Sequence, residues 1–218
     1  MRDKEFWDKH YLNFSDYKAS DFCNYCMENI IQTDDSIIEL GCGNGKDGLQ
    51  LINKASKYIG LDSSKSALSN FKSLIDKKRN QEKDIQLHCT DFTSFNFSKE
   101  TSKNRLAIYS RFSLHSINNE AQNRLFNNIK QITSSNWICM IEARSIYDDL
   151  YGVGKNIGEH EFITDHYRRF LDPSVFLKKL LDDFHIKYYE ISNGFSKYKE
   201  SDPIIIRTII EKKKNKLT

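Results

Sequence analysis

Three carboxylates and one glycine loop are the residues of this chain whose types and spacing could do chemistry. Glu39-Leu40-Gly41-Cys42-Gly43-Asn44-Gly45 ends a short β-branched run, and Asp62 and Asp91 each follow a later one. Gly41 permits a tight turn, while Gly43 and Gly45 let backbone N–H groups approach a ligand closely. The spacing is neither Gly-x-Gly-x-x-Gly nor that of a phosphate loop, since no Gly-Lys-Ser/Thr follows. An acidic side chain ahead of the glycines suits an ammonium group. Asp62 stands about 20 residues on, where a carboxylate can accept both hydroxyls of a ribose.

A second group lies further along. Tyr109-Ser110-Arg111-Phe112-Ser113-Leu114-His115 leaves another apolar run. His115, as an imidazole, can take a proton from a hydroxyl or cap the helix that follows, and both readings stay open. Arg111 can pair with an acidic substrate or with a bound carboxylate. After Glu142, Arg144 and Ser145 comes a polar stretch, 145–172, carrying Tyr147, Asp148, Tyr151, Gly152, Gly154, His160, His166, Tyr167, Arg168 and Arg169. Its guanidiniums suit phosphate or carboxylate recognition, because they grip such oxygens two at a time. A metal held by His160, His166 and a carboxylate competes with this, without a firm ligand spacing. So does a structural loop whose arginines pair with nearby acids.

The elements that must hold these residues alternate. Helical stretches near 3–10 and 20–31 are followed by strands at 36–40, 58–62, 85–89, 106–110 and 137–142. Helices at 47–54, 64–78 and 119–132 stand between them, the second with Ala67, Leu68, Phe71, Leu74 and Ile75 on one face. The alternation breaks at 145–172, long for a connection and therefore functional or disordered. A helix opened by Asp172-Pro173 runs to about residue 183. Strands at 186–191 and 204–210 close the chain with no helix between them. Dehydrogenase-type sheets continue with further βα units, so this ending predicts a Rossmann-like α/β fold: a seven-stranded mixed sheet with a C-terminal antiparallel hairpin, flanked by helices.

The Glu-x-Gly-x-Gly-x-Gly loop with Asp62 and Thr90-Asp91-Phe92 resembles the class I S-adenosylmethionine-dependent methyltransferases over about residues 36–144. The resemblance implies that Glu39, Gly41, Cys42, Gly43, Asn44, Gly45 and Lys46 hold the methionine part of S-adenosylmethionine, and Asp62 with Ser63 the ribose. Asp91 and Phe92 would recognise the adenine, with Ser110 beside them. Asn44-Gly45-Lys46-Asp47-Gly48 is similar to a Gly-Asn-Gly-Arg-Asp loop of bacterial small-molecule methyltransferases, many from surface-polysaccharide (capsule) clusters, with Lys46 in place of Arg. Phe6-Trp7-Asp8-Lys9-His10-Tyr11 resembles the aromatic N-terminal helix of such enzymes, which makes Trp7 and Tyr11 cofactor contacts and residues 1–33 a lid; a plain amphipathic helix is the other reading. The resemblance implies methyl transfer, with S-adenosylhomocysteine as product, to a small anionic acceptor such as a sugar, phosphate or phosphoramidate oxygen of capsule biosynthesis. His115 and Arg111 would be catalytic. Arg144, Tyr147, His160, His166, Tyr167, Arg168 and Arg169 would bind the acceptor. Methylation of RNA or protein, and a silent cofactor-binding module, are the alternatives.

Composition excludes other classes. The 218 residues suit a single domain, 1–218, with 145–172 as its substrate-binding insert. Thirty-three basic and 30 acidic residues give a net charge of +3, too balanced for a nucleic-acid binder. No apolar run reaches the roughly 18 residues of a membrane span, and Met1 to Trp7 lacks the core of a signal peptide. The 5 cysteines, in a chain with no export signal, point to the cytoplasm. Cys23-Asn24-Tyr25-Cys26 has metal-site spacing, but no second Cys/His pair follows, so it reads as a helix face and no metal is expected. Lys212-Lys213-Lys214 reads as a solvated end. A monomer or homodimer is expected.

Overall fold

Residues such as Ile37, Ile38, Ile59, Leu61, Ile108 and Ile141 lie in strands buried on both faces, and this decides the architecture. The computed structural model describes residues 3–12, 17–78, 83–100, 104–134, 136–197 and 200–213. Met1, Arg2 and Lys214 lie outside them. In chain order the elements begin with α1 (Lys4–Leu12), α2 (Asp21–Asn29), β1 (Ser36–Leu40), α3 (Gly48–Lys54), β2 (Lys57–Asp62), α4 (Lys65–Lys77) and β3 (Asp84–Cys89). They continue with β4 (Leu106–Arg111), α5 (Asn119–Lys130), β5 (Trp137–Arg144), β6 (Lys155–Gly158), β7 (Glu161–Ile163) and β8 (Tyr167–Arg169). The chain closes with α6 (Pro173–Asp183), β9 (Phe184–Ser192) and β10 (Ile205–Lys212).

The main sheet has seven strands in the order β3-β2-β1-β4-β5-β10-β9. The first five are parallel, and β10 slots antiparallel between β5 and β9. Alternate side chains feed two apolar layers. Ile38, Leu40, Ile59 and Ile108 meet Leu125 and Phe126 of α5 and Phe176 and Leu180 of α6. Ile37, Tyr58, Ala107 and Met140 meet Phe22, Cys23 and Cys26 of α2, Leu51 and Ile52 of α3, and Phe71 of α4. The two cysteines of the Cys-x-x-Cys spacing are therefore core residues. No helix among the described residues is long and apolar enough to cross a membrane.

The departure from expectation is the insert. Rather than an irregular loop, 155–169 is a small antiparallel sheet in the order β6-β7-β8. Its strands run only three or four residues, too short for a period-2 pattern to show. Tyr151, Phe162 and Phe170 pack edge to face at 5.3–5.9 Å and give it an apolar centre. Its base is closed by Leu171 N–H on the Arg144 carbonyl (3.0 Å), Ile146 N–H on the Leu171 carbonyl (3.0 Å) and Ser145 Oγ on the Ile204 carbonyl (2.6 Å).

Two glycines with positive φ separate packing from backbone geometry. Gly45 has φ +85°, and a Cβ there would stand 2.1 Å from the Phe71 ring; Gly152 has φ +82° with nothing within 4 Å. Gly45→Ala should therefore lose about 2–4 kcal/mol in urea unfolding, overpacking added to strain, and Gly152→Ala only about 1 kcal/mol. Equal losses would show that Phe71 does not hold the loop.

Candidate active site

Strand order reverses about β1 and β4, so the crevice of an open parallel sheet must form at their carboxyl ends. A cavity of about 470 Å³ lies there, walled by the glycine loop, α1, the loop after β4 and the insert. Gly41 and Cys42 both donate to the Leu61 carbonyl, at 2.8 and 3.1 Å, which turns the loop back over β2. Gly41, Gly43 and Gly45 all have positive φ. Asp62 then braces the loop: its Oδ2 accepts Gly43 N–H at 2.8 Å, and its Oδ1 accepts Ser64 N–H at 2.8 Å. Each oxygen keeps lone-pair capacity toward the cavity. Burial raises the Asp62 pKa, against these amide bonds.

Glu39 lies buried behind the loop and accepts a hydrogen bond from Tyr58 Oη. Burial first, then Asp47, pushes its pKa well up. Asp47, 5% exposed, stands in the sequence as part of the Asn44–Gly48 loop and as the start of the helix 47–54, with no role of its own. It stands at the N-cap position of α3 but makes no cap bond. Instead it accepts Ser20 N–H (2.7 Å), Ser20 Oγ (2.8 Å) and Tyr109 Oη (2.7 Å), tying α2, β4 and the loop together. No local pattern marks this; the partners lie 27 and 62 residues away.

α1 covers the cavity. Asp8 accepts Ser64 Oγ at 2.7 Å, and Asn70 donates to the Tyr11 carbonyl at 2.7 Å, which fixes α1 on α4. Tyr11 Oη lies over Gly43, where a Cβ would come within 2.5 Å of it. Phe6 stacks on His166 at 4.3 Å, with Trp7 at 5.0 Å, so α1 also touches the insert.

The cavity is also lined by three guanidiniums, Arg111, Arg144 and Arg168, with His115, His166 and the carboxylate of Asp165. Arg111 donates to Glu142 at 2.9 Å, and the same fully buried carboxylate accepts Arg207 at 2.7 Å. Arg144 pairs with Asp148 at 2.6 Å, and Arg168 lies 3.4 Å from Asp165. Phe112, held at φ +52°, places its ring 4.4 Å from the Arg111 guanidinium and 5.0 Å from that of Arg144. A bulky residue at that φ carries strain of the kind that collects at functional sites. His115 is 7% exposed, and among the described residues its Nδ1 has no hydrogen-bond partner. Burial, then Arg144, His166, Arg168 and Arg111, hold its pKa well below the usual value.

Of the residues singled out in the sequence, Trp7, Tyr11, Glu39, Gly41, Cys42, Gly43, Asn44, Lys46, Asp62, Phe92, Arg111, His115, Arg144, His166 and Arg168 meet at this cavity. The others lie elsewhere. Gly45 packs on Phe71, Asp91 caps a 3-10 turn through Thr93 N–H, and Ser110 bonds Ser113 Oγ at 2.5 Å. Ser63 adjoins the cavity through Asp62, and Tyr147 is 59% exposed. Tyr167 is buried within β8, while His160 and Arg169 line a different cavity. His160 and His166 thus do not share a site. Among the described residues no group of three or more His, Cys, Asp or Glu could hold a metal. Asp47, Phe112, Glu142 and Asp165 enter only through the fold.

Residues 37–136 match the family model described as a methyltransferase domain. No curated protein matches the chain. Among solved structures it is similar to an S-adenosylmethionine-dependent methyltransferase from Clostridium acetobutylicum, with TM-score 0.65 and 17% identity over 96% of this chain and 97% of that one. It is likewise similar to an S-adenosylmethionine-dependent methyltransferase from Anabaena variabilis, with TM-score 0.70 and 18% identity over 96% and 93%. A third, from Methanosarcina mazei, has TM-score 0.69 and 18% identity over 85% and 96%. At these identities the likeness concerns the fold, the Rossmann-like methyltransferase sheet with its C-terminal hairpin.

The depressed His115 has a consequence for stability. The unfolded chain protonates this imidazole near its ordinary pKa of about 6.5, while the folded chain resists. Below that pH the unfolded state binds more protons, so stability is complete above it and falls as pH drops, by at most about 1.4 kcal/mol per unit from this residue. Urea unfolding from about pH 7.5 to about pH 5 should give a shallower loss in His115→Gln than in the wild type. Equal slopes would mean that His115 protonates normally in the fold.

Proposed function

We propose that this chain is a class I S-adenosylmethionine-dependent methyltransferase and that it acts on a small anionic acceptor. The make-up of the cavity carries this reading: buried Glu39, Asp47 and Asp62 beside the glycine loop, and the three guanidiniums of Arg111, Arg144 and Arg168 with two histidines and a single carboxylate, Asp165, in the rest of the lining. The carboxylate end fits the cofactor. Asp62 accepts Gly43 N–H and can also accept ribose hydroxyls, and the glycine loop lines the cavity beside it, where the methionine part would lie. When bound, S-adenosylmethionine supplies an electrophilic sulfonium methyl and leaves as S-adenosylhomocysteine.

The residues of this chain then bind, orient and exclude water. Arg144 and Arg168 position the anion, each also held by a carboxylate of its own, which keeps the guanidiniums in place. Arg111 is held by Glu142 and Ser196, so its part is to shape the wall and its field. A phosphate or carboxylate oxygen needs no base, which suits a His115 whose protonation the surrounding cations oppose. A hydroxyl acceptor would use neutral His115 as proton acceptor, and a nearby anionic group would raise its pKa toward usefulness. α1 closes the cavity against water through Phe6, Trp7 and Tyr11.

In this reading residues 1–218 act as one domain, with 1–33 as lid and 145–172 as acceptor-binding insert. The Asn44–Gly48 loop resemblance supports an acceptor among the sugar, phosphate or phosphoramidate oxygens of capsule building blocks, reached in the cytoplasm.

Two measurements test this. Asp62→Ala should weaken S-adenosylmethionine binding in calorimetry by about 1.5–3 kcal/mol, and unchanged affinity would sink the ribose assignment. Labelled-methyl transfer to paired phosphorylated and neutral small acceptors should favour the phosphorylated member. Arg168→Gln should raise the acceptor KM about tenfold while sparing cofactor affinity. Preference for neutral acceptors would overturn the anionic reading and leave the cofactor assignment standing.

A further inference from the structure

Strand β8 presents successive side chains to two different cavities. Arg168 lines the main one, and Arg169 lines a second of about 330 Å³ between the insert, α5 and α6. Arg169 is only 6% exposed. Its Nε donates to the Ile117 carbonyl at 2.9 Å, and its other nitrogen donates to the Gln122 amide oxygen. Lys179, half-buried on the same cavity, donates to the Asn123 amide oxygen. All three acceptors are neutral. Two cations thus share one pocket wall, and among the described residues neither is ion-paired with a carboxylate. Burial, then Arg169, holds the Lys179 ammonium below its ordinary pKa.

Burying a guanidinium without a direct ion pair is costly, and Glu161 favours the Arg169 charge, as Asp183 does that of Lys179, only through space. Glu161 stands opposite Arg169 in the β7–β8 register, but its carboxylate turns toward Gly158, where a Cβ would lie 3.2 Å from Oε2. Asp172 has Oδ1 engaged by Ser174 N–H, Ser174 Oγ and Val175 N–H. Glu159 is exposed. Asn119 and His160 also line the cavity, and its apolar part is chiefly Phe170, Val175 and Phe176.

We infer that this second cavity binds a small organic anion, its charged oxygens on Arg169 and Lys179 and its apolar part against Phe170, Val175 and Phe176. The ligand class is a carboxylate or phosphate monoester with a compact apolar group. It is separate from the acceptor of methyl transfer and does not rest on that assignment, because β8 stands between the two cavities. The sites still share a support: the Ile117 carbonyl that takes the Arg169 bond follows directly on the turn that carries His115.

The test is a nitrogen–proton correlation NMR titration of the full chain with phenyl phosphate, inorganic phosphate and benzoate as probes. Saturable shifts should centre on the amides of Gln122, Arg169 and Lys179, with phenyl phosphate binding tighter than inorganic phosphate. Benzoate binding tighter than phenyl phosphate would assign the site to carboxylates, and the reverse order to phosphate monoesters; either supports the site. Lys179→Met, at a half-buried position that leaves Arg169 in place, should weaken binding by at least about tenfold. Glu161→Gln should tighten it by removing a competing negative charge, and Arg168→Gln should leave these shifts unchanged. Absence of saturable shifts at these amides, wild-type binding by Lys179→Met, or shifts confined to the main cavity and lost in Arg168→Gln would overturn the proposal.

Discussion

The buried carboxylate of Asp47 is the knot on which the rest of the site hangs. Three donors converge on it: a backbone amide and a hydroxyl from Ser20, and the phenol of Tyr109. Ser20 in turn caps α2 by accepting Cys23 N–H at 3.1 Å. One side chain therefore sets the entry of the N-terminal segment, the start of α3 and the end of β4. A carboxylate that is buried must be hydrogen-bonded, and here the bonds that satisfy it are also the ones that position the glycine loop. Gly48 allows this crowding, since a Cβ there would lie within 2.8 Å of Glu39, Tyr58 and Phe71.

Around that knot the protein separates charge. Glu39 and Asp62 place two carboxyl groups at the loop end of the cavity, and the burial that raises their pKa values is the condition a bound cation would relieve. The far wall is organised by Glu142, which holds Arg111 and Arg207 on its two oxygens. Arg207 comes from β10, the strand that the C-terminal hairpin inserts beside β5. The hairpin thus supports the cavity wall from behind, through the ion pair of Arg207 with Glu142, which also holds Arg111. Phe112, between two guanidiniums, continues the same wall toward the insert.

Residues near one another in sequence were legible as a unit. The glycine loop, Asp62 on the following strand and the cationic residues Arg111 and Arg144 at strand ends all project to one sheet edge, because a parallel sheet sends every carboxyl end the same way. The insert was legible only in composition. Its arginines look equivalent as Arg168-Arg169, yet β8 is a strand, and neighbours on a strand face opposite sides. Arg168 therefore enters the main cavity and Arg169 the other one. Tyr167, on β8, and His160, in the β6–β7 turn, belong to the same short sheet and lie away from the cavity lining, and the strands of that sheet are below the length at which periodicity speaks.

The sequence by itself determined the alternating α/β order, the glycine loop and the carboxylates at successive strand ends, because these follow from local periodicity and from backbone freedom at glycine. What only the tertiary fold decided is how distant side chains meet: Asp47 as a bonding centre, Glu142 behind the wall between two arginines, and a His115 whose pKa is held down by burial, then by Arg144, His166, Arg168 and Arg111. Such contacts join residues tens of positions apart. Their energies depend on burial and on distance across the fold, and neither quantity is written in local spacing.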